Sequence, residues 1–200
     1  MKRFFGIAAV TAAMIFAAPP SQATLITYEA ILSGPAEAPP NASPGTGFAS
    51  VIYDSFAQTL AISASWSGLL GTTTVAHIHC CTAVANTGAI GVAVTPGTLP
   101  GFPAGTTSGT YATLLDLALA STFTTGFINN FAGGLLADAE ESLIAGLNDE
   151  RAYFNIHTNL FPGGEIRGFL SVVSVVPEPG TLALLALGLA GLGLSRRRRT

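Results

Sequence analysis

Apolar and polar positions alternate along most of the central chain with the two-residue period of half-buried strands. Residues 24–32 are rich in β-branched and aromatic side chains and stop at Ser33-Gly34-Pro35, which predicts a strand followed by a long turn. Four prolines between positions 34 and 45 exclude a helix or a central strand there. Stretches 47–54 and 58–67 then predict a meander pair, with Ile52, Leu60, Ile62 and Trp66 as core candidates. Further strands are predicted over 75–81, 106–117, 152–158 and 165–175, the last two joined through a hairpin turn at Phe161-Pro162-Gly163-Gly164. The period changes only at 137–147. There Asp138, Glu140 and Glu141 crowd a first helical turn, and Leu143, Ile144 and Leu147 form an apolar stripe. Residues 82–105 make a loop of the length that is functional or disordered. The pattern predicts an all-β domain: a single antiparallel β-sandwich, Greek-key-like, with one short helix.

The two ends depart from this pattern and are set aside from the fold. Lys2 and Arg3 precede an apolar run over 4–18, followed by Pro19-Pro20 and the small-x-small site Ser21-Gln22-Ala23. This reads as a secretory signal peptide over 1–23. At the other end Pro177-Glu178-Pro179 leads into an apolar, glycine-punctuated run over 180–194 and then Arg196, Arg197, Arg198 and Arg199. Cationic residues after an apolar run act as a stop-transfer signal on the cytoplasmic side. About 16 helical residues reach only about 24 Å against a hydrocarbon core of about 30 Å, which suits a transient sorting helix better than a permanent anchor. The motif, run and arginine cluster resemble the PEP-CTERM sorting signal of Gram-negative bacteria. That resemblance implies an exosortase-type protease as partner and an inner-membrane-anchored precursor. Cleavage near the Pro-Glu-Pro motif would then deliver the chain to the cell surface or the medium. Three segments follow: signal peptide 1–23, β domain 24–176 and sorting tail 177–200.

With the ends removed, the charge balance becomes more strongly negative, from −3 for the whole chain to 2 − 10 = −8 for the central segment. Only Arg151 and Arg167 are basic in the central segment, against ten acidic residues. So acidic a domain lacks the basic patch that nucleic acid or anionic lipid requires.

The central segment carries a second resemblance. Leu32-Ser33-Gly34 with Glu37 and Pro39-Pro40, Thr46-Gly47, Trp66-Ser67-Gly68-Leu69, Ala76-His77-Ile78-His79, Tyr153-Phe154-Asn155-Ile156-His157-Thr158 and Pro162-Gly163-Gly164-Glu165-Ile166-Arg167-Gly168 occur in this order. They resemble the CHRD domain, first described in chordin and also found in bacterial exported proteins. The chain departs from that pattern after His79, where a glycine is usual and Cys80-Cys81 stands here. The resemblance names a domain and not an activity. With the sorting signal, it implies an exported, surface-sorted module associated with the envelope or exopolysaccharide, and the acidic surface and absence of a catalytic constellation favour a non-enzymatic binding or structural role. Its partners would be extracellular polysaccharide or surface proteins.

The candidate chemistry lies in residues 75–81, which hold two of the three histidines and both cysteines. If Ala76 and Ile78 face the core, His77 and His79 share the opposite face. Phe154 and Ile156 place His157 in the same way. Three neutral imidazoles from two strands suit Cu²⁺ or Zn²⁺, and a His-x-His strand in a β-sandwich resembles copper-zinc superoxide dismutase, which attaches possible redox chemistry to this alternative function. The competing expectation is that the histidines are structural, bonded to Asn155, Thr158, Glu165 and Arg167. Glu165 and Arg167 are expected as a surface ion pair or as a contact to His157. Cys80 and Cys81 have three open fates: a strained bridge to each other, a bond to another molecule, or a thiolate from Cys81 in the metal site. The lack of a Gly-x-Ser-x-Gly elbow speaks against a Ser-His-acid hydrolase. Asp138, Glu140 and Glu141 read as helix-dipole and solubility features.

Overall fold

A computed structural model of the chain describes residues 24–177. The expected signal peptide over 1–23 and the tail from Glu178 onward, with Pro179 and Arg196 to Arg199, lie outside the described residues. Among the described residues no helix is long and apolar enough to cross a membrane.

The strands are β1 Thr24–Ser33, β2 Thr46–Asp54, β3 Thr59–Ser67, β4 Thr73–His79, β5 Val92–Val94, β6 Gly109–Asp116, β7 Tyr153–Thr158, β8 Ile166–Phe169 and β9 Ser171–Pro177, with helices α1 Thr125–Phe131 and α2 Ala139–Asn148. They join in one nine-stranded sheet in the order β5-β4-β7-β8-β1-β2-β3-β6, with β9 also on β1, and all pairings are antiparallel. The all-β antiparallel class with a short helix is as expected, and the sheet curls over its own core as a half barrel.

Strand alternation builds that core. Tyr28, Ala30 and Leu32 of β1 point inward with Ala49 and Val51 of β2, Leu60, Ile62, Ala64 and Trp66 of β3, and Tyr111 and Leu115 of β6. Ile52 corrects the sequence reading. Its neighbour Val51 lies opposite both Tyr28 and Ile62 and is fully buried, so the pleat turns Ile52 outward. Two adjacent apolar residues left the face undecided.

The predicted strand 165–175 is broken at buried Leu170, whose N–H bonds to Ala152 O. The first half pairs with β7 and the second with β1. The loop over 82–105 contributes strand β5 beside β4. Helix α1 has no sequence counterpart, since Gly126, Asn129 and Asn130 carry weak helix propensity; it forms because Thr124 caps Phe127 N–H at 3.1 Å and Phe127 packs between Phe123 and Phe131. Helix α2 falls where 137–147 was predicted. It buries Ala139, Leu143, Gly146 and Leu147, while Glu140 accepts hydrogen bonds from Tyr53 Oη and Gln58 Nε2, both at 2.6 Å. Glu140 is therefore an anchor to the sheet as well as a first-turn charge.

Candidate metal centre

Most strands bury one face, but β4 and β7 bury both. Ala76, Ile78, Phe154 and Ile156 are fully enclosed on the core side. Across the sheet, His77 stands opposite Asn155, His79 opposite Tyr153 and Val75 opposite His157. Residues opposite each other share a face, so the three histidines look the same way, as the alternation predicted. The loop over 82–105 and the β7–β8 turn cover them, leaving each buried.

The covering segments supply main-chain acceptors. His77 Nε2 bonds to Gly97 O at 2.9 Å, His79 Nδ1 to Ile90 O at 2.8 Å and His157 Nδ1 to Pro162 O at 2.8 Å. A carbonyl can only accept, so each of these nitrogens carries the ring hydrogen and donates it. The opposite nitrogens, His77 Nδ1, His79 Nε2 and His157 Nε2, are bare lone pairs, buried, with no hydrogen-bond partner among the described residues. The ring centroids are 5.2 to 5.9 Å apart, and one ring nitrogen from each histidine lies within 4.8 Å of the others. Four-coordinate Zn²⁺ with bonds of about 2.1 Å spaces its nitrogens about 3.4 Å apart, a spacing within that limit.

Burial, the largest influence, keeps all three rings neutral. It lowers the pKa of His77 and His157 against the opposing pull of their carbonyl hydrogen bonds, and takes His79 down to about 4. Neutral rings with one nitrogen tied to a carbonyl are the form in which histidine ligates a metal.

Tyr153 and Arg167 support the cluster from behind. Tyr153 stacks on His79 with centroids 4.7 Å apart, and its hydroxyl bonds both Ile90 O and Ile90 N–H. Arg167 lies 4.6 Å above the Tyr153 ring and donates to Ala36 O at 2.6 Å. Its carboxylate neighbour is Glu37, at 3.8 Å. Burial raises the Glu37 pKa to about 7, against the lowering influence of Arg167.

Several expectations change here. The histidines are held by backbone carbonyls and not by Asn155, Thr158, Glu165 or Arg167. Arg167 and Glu165 are buried and do not pair: Arg167 faces Glu37, and Glu165 serves Ser43, Leu70, Gly71 and Thr158. The structure leaves Cys81 out of the cluster. Cys80 and Cys81 form a disulfide with each other, seated against α2 where Gly146 leaves room for both sulfurs. The carbonyls of Ile90, Gly97 and Pro162 escaped the sequence reading, and Glu37 entered it only within the CHRD resemblance, with no role assigned. Every residue has a carbonyl, so nothing marks those three; the pairing of Glu37 with Arg167 depends on the fold.

Comparison with known proteins adds two matches. The CHRD domain family matches residues 28–170, and the PEP-CTERM protein-sorting motif matches residues 175–199. No curated protein and no solved structure matches the chain. The sorting motif marks an exported protein, anchored transiently in the membrane and processed by exosortase-type machinery before surface sorting.

Proposed function

The chain belongs to the CHRD domain family, and we propose that it is a surface-sorted module whose domain binds one copper or zinc ion through His77, His79 and His157. The observation that carries this reading is the set of three buried, unpartnered ring nitrogens converging from β4 and β7. An uncompensated buried polar atom costs about 1–3 kcal/mol. Three of them on one spot are costly as structural anchors, since each ring already satisfies its other nitrogen. A cation that accepts three lone pairs removes the cost. Imidazole donors fit Cu²⁺ and Zn²⁺, and the exported location leaves the site to ions outside the cytoplasm.

Metal content after purification without a polyhistidine tag tests the reading, with a His77→Ala, His79→Ala double variant alongside. One equivalent of copper or zinc is expected in the native protein and none in the variant. Equal, substoichiometric metal in both would reduce the histidines to hydrogen-bond anchors. If the ion is copper, redox chemistry of the superoxide dismutase type is the reaction to assay first.

A second reading concerns the outer face of the sheet. Thr27, Ile52, Ala61 and Leu114 form one cross-strand row, and Ile31, Phe48, Ser65 and Thr110 another. Ile31 and Leu114 are largely exposed and Phe48 and Ile52 partly so. An outer face of hydroxyl and alkyl groups favours non-enzymatic contact with envelope material, exopolysaccharide or surface proteins. Retention of the purified protein on exopolysaccharide, abolished by Leu114→Asp with Ile52→Asp, is the expected result.

A further inference from the structure

Seven buried side-chain nitrogen and oxygen atoms lack a hydrogen-bond partner among the described residues, and five of them belong to the region around the histidines. Three are the ring nitrogens already assigned to the ion. The other two are oxygens, Asn155 Oδ1, which can only accept, and Glu37 Oε1, which accepts when the carboxyl is ionised; an accepting oxygen calls for a hydrogen donor, which a bare metal ion cannot provide.

Their placement is specific. Asn155 is directly opposite His77 and two residues from His157 on the same face, so histidines flank it across and along the sheet. It is 2% exposed. Glu37 lies against the same amide at Gly164. A Cβ on Gly164 would come 2.6 Å from Asn155 Oδ1 and 2.7 Å from Glu37 Oε1, so the missing side chain is what lets the two oxygens share this space. Arg167 does not supply the donors: its Nε bonds Ala36 O, and it approaches Glu37 through Oε2, the other carboxylate oxygen.

Among the described residues no fourth histidine, cysteine or carboxylate joins the cluster of three. Three protein ligands leave one position of a tetrahedral ion open, the arrangement of sites that exchange a small ligand. Resting on the metal reading above, we infer that the fourth ligand is an exchangeable water that donates a hydrogen bond to Asn155 Oδ1, with Glu37 Oε1 the next acceptor. The class of ligand that competes for this position is a small anion able to replace water at the ion. Asn155 is a positioning residue: it meets the bound water and leaves the ion to the histidines.

The full-length protein loaded with one equivalent of Cu²⁺ provides the test, read by water-proton relaxation with and without azide. The expected result is a relaxation enhancement that azide abolishes and a saturable shift of the copper electron paramagnetic resonance spectrum. In Asn155→Ala, copper stoichiometry stays at one while azide affinity changes about tenfold, the lower end of what outer-shell partners contribute at metal sites. The azide arm on the native chain needs no variant, so misfolding of Asn155→Ala does not protect the inference. Histidine-dependent copper with azide-insensitive relaxation overturns the exchangeable water alone. Absence of histidine-dependent copper overturns the metal reading and this inference with it.

Discussion

Glu165 accepts hydrogen bonds from Ser43 Oγ and Leu70 N–H at 2.6 Å, Thr158 Oγ1 at 2.7 Å and Gly71 N–H at 3.0 Å. It thereby ties the turn before β2, the link between β3 and β4, and the end of β7 to the start of β8. Burial pushes its pKa up, but the four donors outweigh burial and hold it below the ordinary carboxylate value. The folded carboxyl is thus a stronger acid than the unfolded one. Its contribution is present above the unfolded pKa near 4.5 and is lost as the pH falls through the depressed folded value. Glu165→Gln turns one acceptor into a donor facing other donors, and a loss of about 3 kcal/mol is expected in urea unfolding at pH 7. The native protein should also lose stability on acidification below pH 4.5 along a slope that the variant lacks. Gly146 acts through space alone. A Cβ there would overlap both sulfurs of the Cys80–Cys81 disulfide, so Gly146→Ala should lower stability by about 1–3 kcal/mol, the usual cost of overpacking, as thermal unfolding will show.

Among elements, β4 and β7 decide where chemistry can occur. Each has a core face of apolar residues and a second face that would be solvated in most antiparallel sheets; here the loop over 82–105 and the β7–β8 turn close over it. Phe154 is the packing centre of the pair, fully buried opposite Ile78 and Gly168. Phe154→Ala should cost about 3–5 kcal/mol and, by loosening the strand, weaken metal uptake as well; titration calorimetry alongside denaturation measures both. The histidine face was legible because period-two alternation around Ile78, Phe154 and Ile156 fixes it without knowledge of the partner strand. The fixing of each ring was not, because Ile90, Gly97 and Pro162 act through carbonyls common to every residue. The partnership of Glu37 with Arg167 joins positions 130 residues apart and rests on β1 and β8 being neighbours, a fact of topology and not of local pattern. Val51 and Ile52 show the remaining limit: when both neighbours are apolar, only the register chooses the inward one.

At the scale of the whole domain, Thr24 and Pro177 are register partners on β1 and β9, so the boundaries of the expected signal peptide and of the sorting motif leave the sheet side by side. Removing Ser171–Pro177 would strip β1 of its second partner over Thr24–Glu29, leaving β2 alone; a truncated chain ending at Leu170 should therefore melt below the chain that keeps β9. The histidine centre couples to the same global stability through mass action. An ion that binds the folded chain and ignores the unfolded one adds about 4 kcal/mol at a thousandfold excess over its dissociation constant. For a domain of this size each kcal/mol moves the melting temperature by about 2–4 °C, so saturating Zn²⁺ should raise it by roughly 10 °C. The rise should vanish in His157→Ala, which removes one donor and leaves β7 otherwise intact, and should survive in Glu165→Gln, whose defect lies outside the cluster. A native chain whose melting temperature ignores Zn²⁺ and Cu²⁺ alike would show that the three bare nitrogens are satisfied by something other than a metal.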